Sequence, residues 1–423
     1  MRLTDSGVLK PHFNEHPIMK VTRIIHPVGQ GGFYTETLSN GTEEATFVYD
    51  CGGFDKGKKK MTDYLDSFLH SENAIKNPGD FGKKKIEAVF ISHFHADHIN
   101  GLQYLLDNAE VKYLFLPQIT EDIMIEAFVY NFYSTKQNNG INNFLLELYR
   151  GTVQFGSKER PTKIIQVGYP EDSRVPEEFS REIFSEDSLD LQAWDWRQRK
   201  VIDLSTVKIL SANVMLHCYK WLYIPYNSKI SDTSKLTKLR DELTKQFNTK
   251  VTIDNLPSLV KKYNVDTIKG IYEGVFGGKQ NPTSMTLFSG TFECVMCERC
   301  KIASNCCHRN LFCEDFYRYQ HCCNPNILYT GDFEPENNIA DLNNFYSAVW
   351  KKFAMIQIPH HGSKNNYKDE LYEYPVRGIV SVGNNNQFHH PDIDTLIKIR
   401  NQGCHPVIVT EDKSSMKIYH YSF

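Results

Sequence analysis

Four side chains able to ligate a metal fall within six residues of this chain: His93, His95, Asp97 and His98, in the run Ser92-His93-Phe94-His95-Ala96-Asp97-His98. Neutral imidazole and carboxylate together suit zinc, manganese or iron. Residues two apart on an extended loop can point the same way, so His93 and His95 can share one ion. Asp97 and His98, at the start of a helix, then face a second. A single structural histidine cluster is the alternative, and so dense a run argues against it.

A second concentration is sulfur. Eight of the eleven cysteines, Cys294, Cys297, Cys300, Cys306, Cys307, Cys313, Cys322 and Cys323, fall within thirty residues, with His308 and His321 interleaved. Cys294-x-x-Cys297-x-x-Cys300 is thiolate spacing suited to zinc, and eight sulfurs can hold one or two tetrahedral ions. Residues 290–326 therefore read as a zinc-binding knuckle that staples a loop too small to bury a core. An iron–sulfur cluster or disulfides are the alternatives. Such an insert could meet substrate or a protein partner. Cys51, Cys218 and Cys404 read as ordinary packed thiols.

The elements that must position these groups follow an α/β order. Val21 to Pro27, Gly32 to Leu38 and Glu44 to Tyr49 read as strands, separated by the turn signals Gly29-Gln30-Gly31-Gly32 and Asn40-Gly41. Met61 to Ser71 has apolar residues at helical spacing. Lys85 to Ile91 is an apolar strand running straight into the histidine motif, and a 3.6-residue period returns from Asp97 through Ile99, Leu102, Leu105 and Leu106. Strand, polar loop, then helix puts the motif at the carboxyl end of a strand, where open α/β sheets keep ligands. Residues 119–280 read as a largely helical insertion, with helices at Glu121 to Tyr133, Asn142 to Leu148 and Ser234 to Phe247 and a strand at Val207 to Leu210. Strands resume at Met285 to Ser289, Ile327 to Tyr329 and Ala354 to Ile358, and two more, Gly378 to Val382 and Pro406 to Thr410, flank a helix at Ile393 to Asn401.

Composition sets the outer bounds. At 423 residues, 40% hydrophobic and 23% charged, the chain is an ordinary globular protein long enough for a full core. The net charge of −3 gives no global basic field, so nucleic-acid binding would need a local patch. The lysine runs Lys58 to Lys60 and Lys83 to Lys85 could supply one, though solvated loops are the plainer reading. The first twenty residues hold Asp5, His12, Glu15 and His16 and do not read as a signal peptide. With no long apolar run either, a cytoplasmic protein with no membrane partner is expected.

His-x-His-x-Asp-His after an apolar strand resembles the signature of the metallo-β-lactamase superfamily, and further motifs follow in that family's order. Asp50, in Val48-Tyr49-Asp50-Cys51-Gly52-Gly53, is similar to the early aspartate that braces the metal loop. Asp332, in Leu328-Tyr329-Thr330-Gly331-Asp332, is similar to the aspartate that bridges two ions. Pro359-His360-His361-Gly362-Ser363 is similar to the late histidine motif of the second metal site; His360, following its strand most directly, is the favoured ligand of the pair. Within the superfamily the chain resembles the hydrolase domain of ComEC-type competence proteins, without their membrane channel. Val28-Gly29-Gln30-Gly31, Asn281-Pro282-Thr283-Ser284 and Ser381-Val382-Gly383-Asn384-Asn385-Asn386 with His390-Pro391 carry that likeness. The chain departs from it at Pro27 and Gly32, where the family has aspartates, and at Asn281, where many superfamily members have a histidine.

The resemblance implies a four-layer αβ/βα sandwich over residues 20–423. It also implies two divalent ions, zinc or manganese, held by His93, His95, Asp97, His98, Asp332 and the His360-His361 pair. Where Asn281 replaces a histidine, one ion would be held by His93, His95 and Asp332, with water filling the gap. The implied activity is a metal-dependent phosphodiesterase or nuclease, with nucleic acid as substrate. In it Asp97 orients the attacking water, Asp50 braces the site, and His390 binds phosphate or protonates the leaving oxygen. Asn281, Ser284 and Lys364 are candidate substrate contacts. Hydrolysis of a small ester, thioester, lactone or cyclic nucleotide, or a non-catalytic zinc-dependent recognition protein, are the other readings.

Overall fold

The structure is a computed structural model. It describes residues 19–54, 60–70, 83–135, 139–152, 155–156, 160–170, 173–177, 188–228, 233–277, 284–292, 324–384, 386 and 389–422. The strands among them are β1 (Lys20–Ile25), β2 (Phe33–Ser39), β3 (Glu44–Cys51), β4 (Lys85–Phe90), β5 (Glu110–Pro117), β6 (Lys163–Val167), β7 (Gln192–Asp195), β8 (Lys200–Ile202) and β9 (Ile209–Leu210). They continue with β10 (Val214–Cys218), β11 (Trp221–Asn227), β12 (Met285–Gly290), β13 (Ile327–Tyr329), β14 (Met355–Gln357), β15 (Arg377–Ser381), β16 (His405–Val409) and β17 (Lys417–Ser422). One sheet runs β17-β1-β2-β3-β4-β5-β6-β9 and the other β16-β15-β14-β13-β12-β11-β10-β7-β8.

Each sheet is antiparallel on one side and parallel on the other. In the first, β3, β4, β5, β6 and β9 are parallel neighbours; in the second, β13 to β16 are. Parallel strands are covered on both faces, and the observed burial fits: β4 and β13 end in runs of fully buried residues. The inner core joins Phe47, Phe90 and Phe115 of the first sheet to Tyr223, Leu287 and Ile379 of the second. Tyr49 stacks on Tyr329 across the interface with ring centroids 4.7 Å apart.

Helices close the two outer faces. Against the first sheet lie α1 (Met61–His70), α2 (Ala96–Ile99), α3 (Leu102–Asn108), α4 (Glu121–Ser134), α5 (Asn139–Arg150), α6 (Thr233–Phe247), α7 (Leu256–Val260) and α8 (Val265–Phe276). Against the second lie α9 (Ile339–Phe345) and α10 (Ile393–Asn401). The order helix, sheet, sheet, helix is the four-layer sandwich expected from the motifs. In α1, Met61, Leu65, Phe68 and Leu69 form the one apolar stripe that such a covering helix needs.

The sheets are also tied by charge. Arg23 of β1 donates from Nε to Glu36 Oε1 at 2.6 Å, and both are buried. Glu36 then accepts from the other sheet: Trp221 Nε1 at 3.2 Å, Tyr223 OH at 3.0 Å, Ser289 Oγ at 2.6 Å and Tyr329 OH at 2.9 Å. A carboxylate this deep is tolerable only with such a set of donors, and losing Arg23 would cost about 3–5 kcal/mol.

Residues 119–280 differ from the sequence-based reading. They hold helices α4 to α8, but they also supply β6 and β9 to the first sheet and β7, β8, β10 and β11 to the second. The region is thus built into both sheets. Trp221–Asn227 escapes a period-2 search because every residue of it is buried. The terminal strand β17 pairs with β1 and buries Tyr419 and Tyr421 on alternate positions. No helix among the described residues is long and apolar enough to cross a membrane.

Candidate active site

Loops leaving the carboxyl ends of β3, β4, β13, β14 and β15 converge, so ligands from both halves of the chain meet where the two sheets open. Asp50, at the end of β3, adopts a left-handed conformation with φ 55. That turn aims its carboxylate at the histidine loop. Oδ1 accepts from Ser92 N–H at 2.7 Å, and Oδ2 accepts from Ser92 Oγ at 2.9 Å and His98 Nδ1 at 2.7 Å. The glycine-rich turn explains itself at the same spot: a Cβ on Gly31 or on Gly52 would sit 2.4 Å from the carbonyl oxygen of Asp97. Only glycine lets these turns close over the metal loop.

Asp332 is held equally firmly. Its N–H donates to Ser284 Oγ at 3.1 Å, and the preceding Thr330 and Gly331 N–H groups each donate to Gln357 Oε1 at 3.0 Å. Its two carboxylate oxygens then face two sets of imidazoles. Oδ2 lies 3.6 Å from His93 Nε2 and 3.9 Å from His360 Nε2. Oδ1 lies 3.2 Å from His98 Nε2 and 3.8 Å from His361 Nε2. Asp97 Oδ2 approaches the same His361 Nε2 at 3.3 Å.

Hydrogen-bond logic assigns the protons. His98 Nδ1 faces a carboxylate and His361 Nδ1 faces the Ser381 carbonyl oxygen at 2.8 Å, so both nitrogens carry hydrogen. The hydrogen of Ser92 Oγ goes to Asp50, so that oxygen accepts from His93 Nδ1 at 2.9 Å. Asn366 donates its amide to Phe333 O at 2.9 Å, which turns its oxygen to His360 Nδ1 at 3.1 Å. In neutral imidazole each Nε2 is then a bare lone pair, and these lone pairs face carboxylate oxygens. Acceptors facing acceptors in a buried site need a cation or a proton between them. His93 Nε2 is indeed buried without a hydrogen-bond partner. His93, His98 and Asp332 form one ligand group and Asp97, His98 and His361 another. The residues fit a divalent metal centre; His98 has one bare nitrogen and can serve only one of the two groups at a time.

Electrostatics agree. Burial alone would raise the Asp332 pKa, but His360, His98 and His93 hold it well below the carboxylate range. Burial also opposes ionisation of Asp97, yet His98 and His361 keep its pKa low. His98 and His361 are shifted upward against the effect of burial, His98 by Asp50, Asp332 and Asp97, His361 by Asp97 and Asp332. Burial lowers His93 and His360. Asp50 is shifted up by burial, with His98 and Ser92 opposing.

The sequence-derived residues therefore divide. His93, Asp97, His98, Asp332, His360 and His361 come together around the Asp332 and Asp97 carboxylates. Of the His360-His361 pair it is His361 that stands beside Asp97 and His98, because consecutive left-handed residues, φ 48 and φ 54, send the two rings to different oxygens of Asp332. His95 stays beside His93, ring centroids 4.8 Å apart, but its Nε2 is taken by Glu126 at 3.1 Å. Ser284 is buried, accepting from Asp332 N–H and donating to Thr330 O at 3.1 Å. Asp50 braces His98 and Ser92. His390 stands next to His360 with ring centroids 5.5 Å apart. Lys364 is exposed just past Ser363. Asn281 and all eight clustered cysteines lie outside the described residues.

Two residues went unread. Asn131 accepts from Ala96 N–H at 2.8 Å and donates to Phe94 O at 2.9 Å, clamping the histidine loop to α4, and Glu126 lies one turn earlier. The available signal was a pair of polar residues inside a helix buried continuously from Ile123 to Phe132.

A mixed α/β sandwich with a histidine–aspartate cluster at the carboxyl ends of its strands is the metallo-β-lactamase fold. Residues 40–122, from the start of the β3 hairpin through the histidine motif to α4, match the model of the family described as the metallo-beta-lactamase superfamily, and the match supports that assignment. No curated protein matches the chain. Among solved structures, the metallo-beta-lactamase fold protein YhfI from Bacillus subtilis is 10% identical, with 96% of this chain and 100% of that one covered and a TM-score of 0.36. Unliganded yeast PDE1 is 11% identical, with 95% of this chain and 99% of that one covered and a TM-score of 0.36.

Proposed function

We propose that this chain is a metal-dependent hydrolase acting on phosphodiesters, with nucleic acid the leading substrate class. The observation that carries the hydrolase reading is the Asp332 carboxylate, whose oxygens separate two groups of bare imidazole nitrogens. The motif likeness to ComEC-type hydrolase domains is what favours a phosphodiester over other esters.

His93, His95 and Asp332 would hold one ion, and Asp97, His98, His361 and Asp332 the other. Divalent cations held there would supply Lewis acidity, lowering the pKa of a bound water towards neutrality and drawing charge from the scissile group's oxygen. The chain's own residues do the rest. Asp50 and Ser381 hold the Nδ1 protons of His98 and His361 on the side of each ring away from Asp332. Asp97, kept ionised, accepts a hydrogen bond from the attacking water and so orients it. His390 is partly buried beside His360, and burial, His360 and His361 push its pKa down to about 3. A ring that is neutral at pH 7 donates a hydrogen bond to a non-bridging phosphate oxygen better than it supplies a proton to a leaving group. Asn386 fixes its backbone through bonds of 2.9 and 2.6 Å.

The clustered cysteines Cys294 to Cys323 remain, on their spacing, a proposed structural zinc site. The test of function is hydrolysis of bis(p-nitrophenyl) phosphate with added zinc or manganese, with and without chelator, followed by a screen of single- and double-stranded nucleic acids. Chelator-sensitive cleavage of the phosphodiester is expected. Activity confined to thioesters or lactones would remove the phosphodiesterase reading.

A further inference from the structure

We infer that Glu126 is a positioning residue for the metal centre: it fixes the tautomer of His95 so that Nδ1, and not Nε2, is the nitrogen left to ligate an ion. The inference rests on the two-ion reading given above.

Glu126 sits in the middle of α4, 3% exposed, where a carboxylate is tolerated only if it is hydrogen-bonded. Its Oε1 accepts from Tyr272 OH of α8 and faces His95 Nε2 at 3.1 Å. An oxygen already accepting from a phenol asks the imidazole nitrogen for a hydrogen as well, so Nε2 carries the proton and Nδ1 the lone pair. The ring cannot easily turn to undo this. It stacks on Tyr130 at 3.7 Å between centroids and 14° between planes, and Tyr130 packs in turn on Tyr133 and Tyr272.

His95 is thus the reverse of its neighbours. His93, His98, His360 and His361 give Nδ1–H to a protein acceptor and keep Nε2 bare. The reversal suits its place in the chain: His95 is two residues beyond His93 on one extended loop, and Nδ1 is the nitrogen nearer the backbone. A negative charge on the far nitrogen also makes an imidazole a stronger ligand. That matters most at the ion for which this chain has Asn281 where a histidine would otherwise be available. Glu126 of helix α4 therefore does for His95 what Asp50 does for His98.

The experiment is a titration of the full-length, chelator-treated protein with cobalt(II), read by the visible d–d bands. Thiolate sites are separated from this signal by their sulfur-to-cobalt charge-transfer bands. Wild type is expected to take up two ions at the histidine–carboxylate site. Glu126→Ala is expected to weaken one of these steps by ~10–100-fold and to shift its bands, leaving the other step alone. Glu126→Gln, which can still accept from Nε2–H, is expected to recover most of that loss. Should Glu126→Ala not melt cooperatively, Glu126→Asp, with the charge kept but the reach shortened, is expected to show the same selective weakening and decides in its place. Two wild-type binding steps with unmoved bands in the deciding variant overturn the role of Glu126. A wild type that binds fewer than two ions there overturns the two-ion reading itself, and the inference with it.

Discussion

Asp50→Asn isolates the proton logic of the site. Asp50 accepts three hydrogen bonds, from Ser92 N, Ser92 Oγ and His98 Nδ1, and it is fully buried. Asparagine has nearly the same shape, so the fold need not move, but one oxygen becomes an NH₂ group. If the remaining oxygen stays on the Ser92 N–H, the new amide faces His98 Nδ1, donor against donor. The Ser92 hydroxyl can reverse its role; His98 can escape only by moving its proton to Nε2, the nitrogen 3.2 Å from Asp332 Oδ1 that an ion requires bare. Losing a charge-assisted hydrogen bond of this kind costs ~1.5–3 kcal/mol. At ~1.4 kcal/mol per decade that is ~10–100-fold in affinity for the ion beside Asp97, His98 and His361. The assay is competition for zinc between chelator-treated protein and a chromophoric chelator, resolved into its separate steps, with a metal-free melt to show that the variant folds. A folded Asp50→Asn that binds both ions as wild type does would refute the claim that Asp50 sets the His98 tautomer.

The two adjacent histidines should behave differently. His361→Ala, which breaks the Asp97–His98–His361 group, is expected to lose one ion by elemental analysis, whereas His360→Ala keeps both; the opposite pattern would restore His360 to the ligand place. Protons and ions compete for His98 and His361, whose pKa values are raised in the metal-free fold. Their contribution to metal-free stability is full below the unfolded value of ~6.5 and is lost as pH rises through the folded values. Raising the pH from about 6 to about 8 should therefore lower the metal-free melting temperature while tightening zinc binding, and flat profiles for both would contradict the shifts. His390→Ala should cut phosphodiester turnover by ~10²-fold with ion content unchanged, and unaltered turnover would leave His390 without a role.

Much of this site was legible because its parts are local. His93, His95, Asp97 and His98 sit within one loop, the apolar run Lys85 to Ile91 announces the strand that delivers it, and the glycines at positions 29, 31 and 32 announce the turn that closes over it. The helices α1, α6 and α10 were visible in their periodicity for the same reason: a helix records its buried face within a few turns of sequence. Burial on both faces erases that record. Trp221–Asn227 carries no alternation to find, so the share that residues 119–280 take in both sheets could not be read.

Residue types and short-range spacing determined that this chain would gather histidines and aspartates at strand ends and which elements would carry them. Only the tertiary structure decided which atom of each faces which. It gave His361 and not His360 to Asp97, turned Ser284 inward to hold Asp332, and set Glu126 against His95. Those choices depend on backbone dihedrals and on hydrogen-bond partners 20 to 264 residues away along the chain, and separations of that size leave no mark on local sequence pattern.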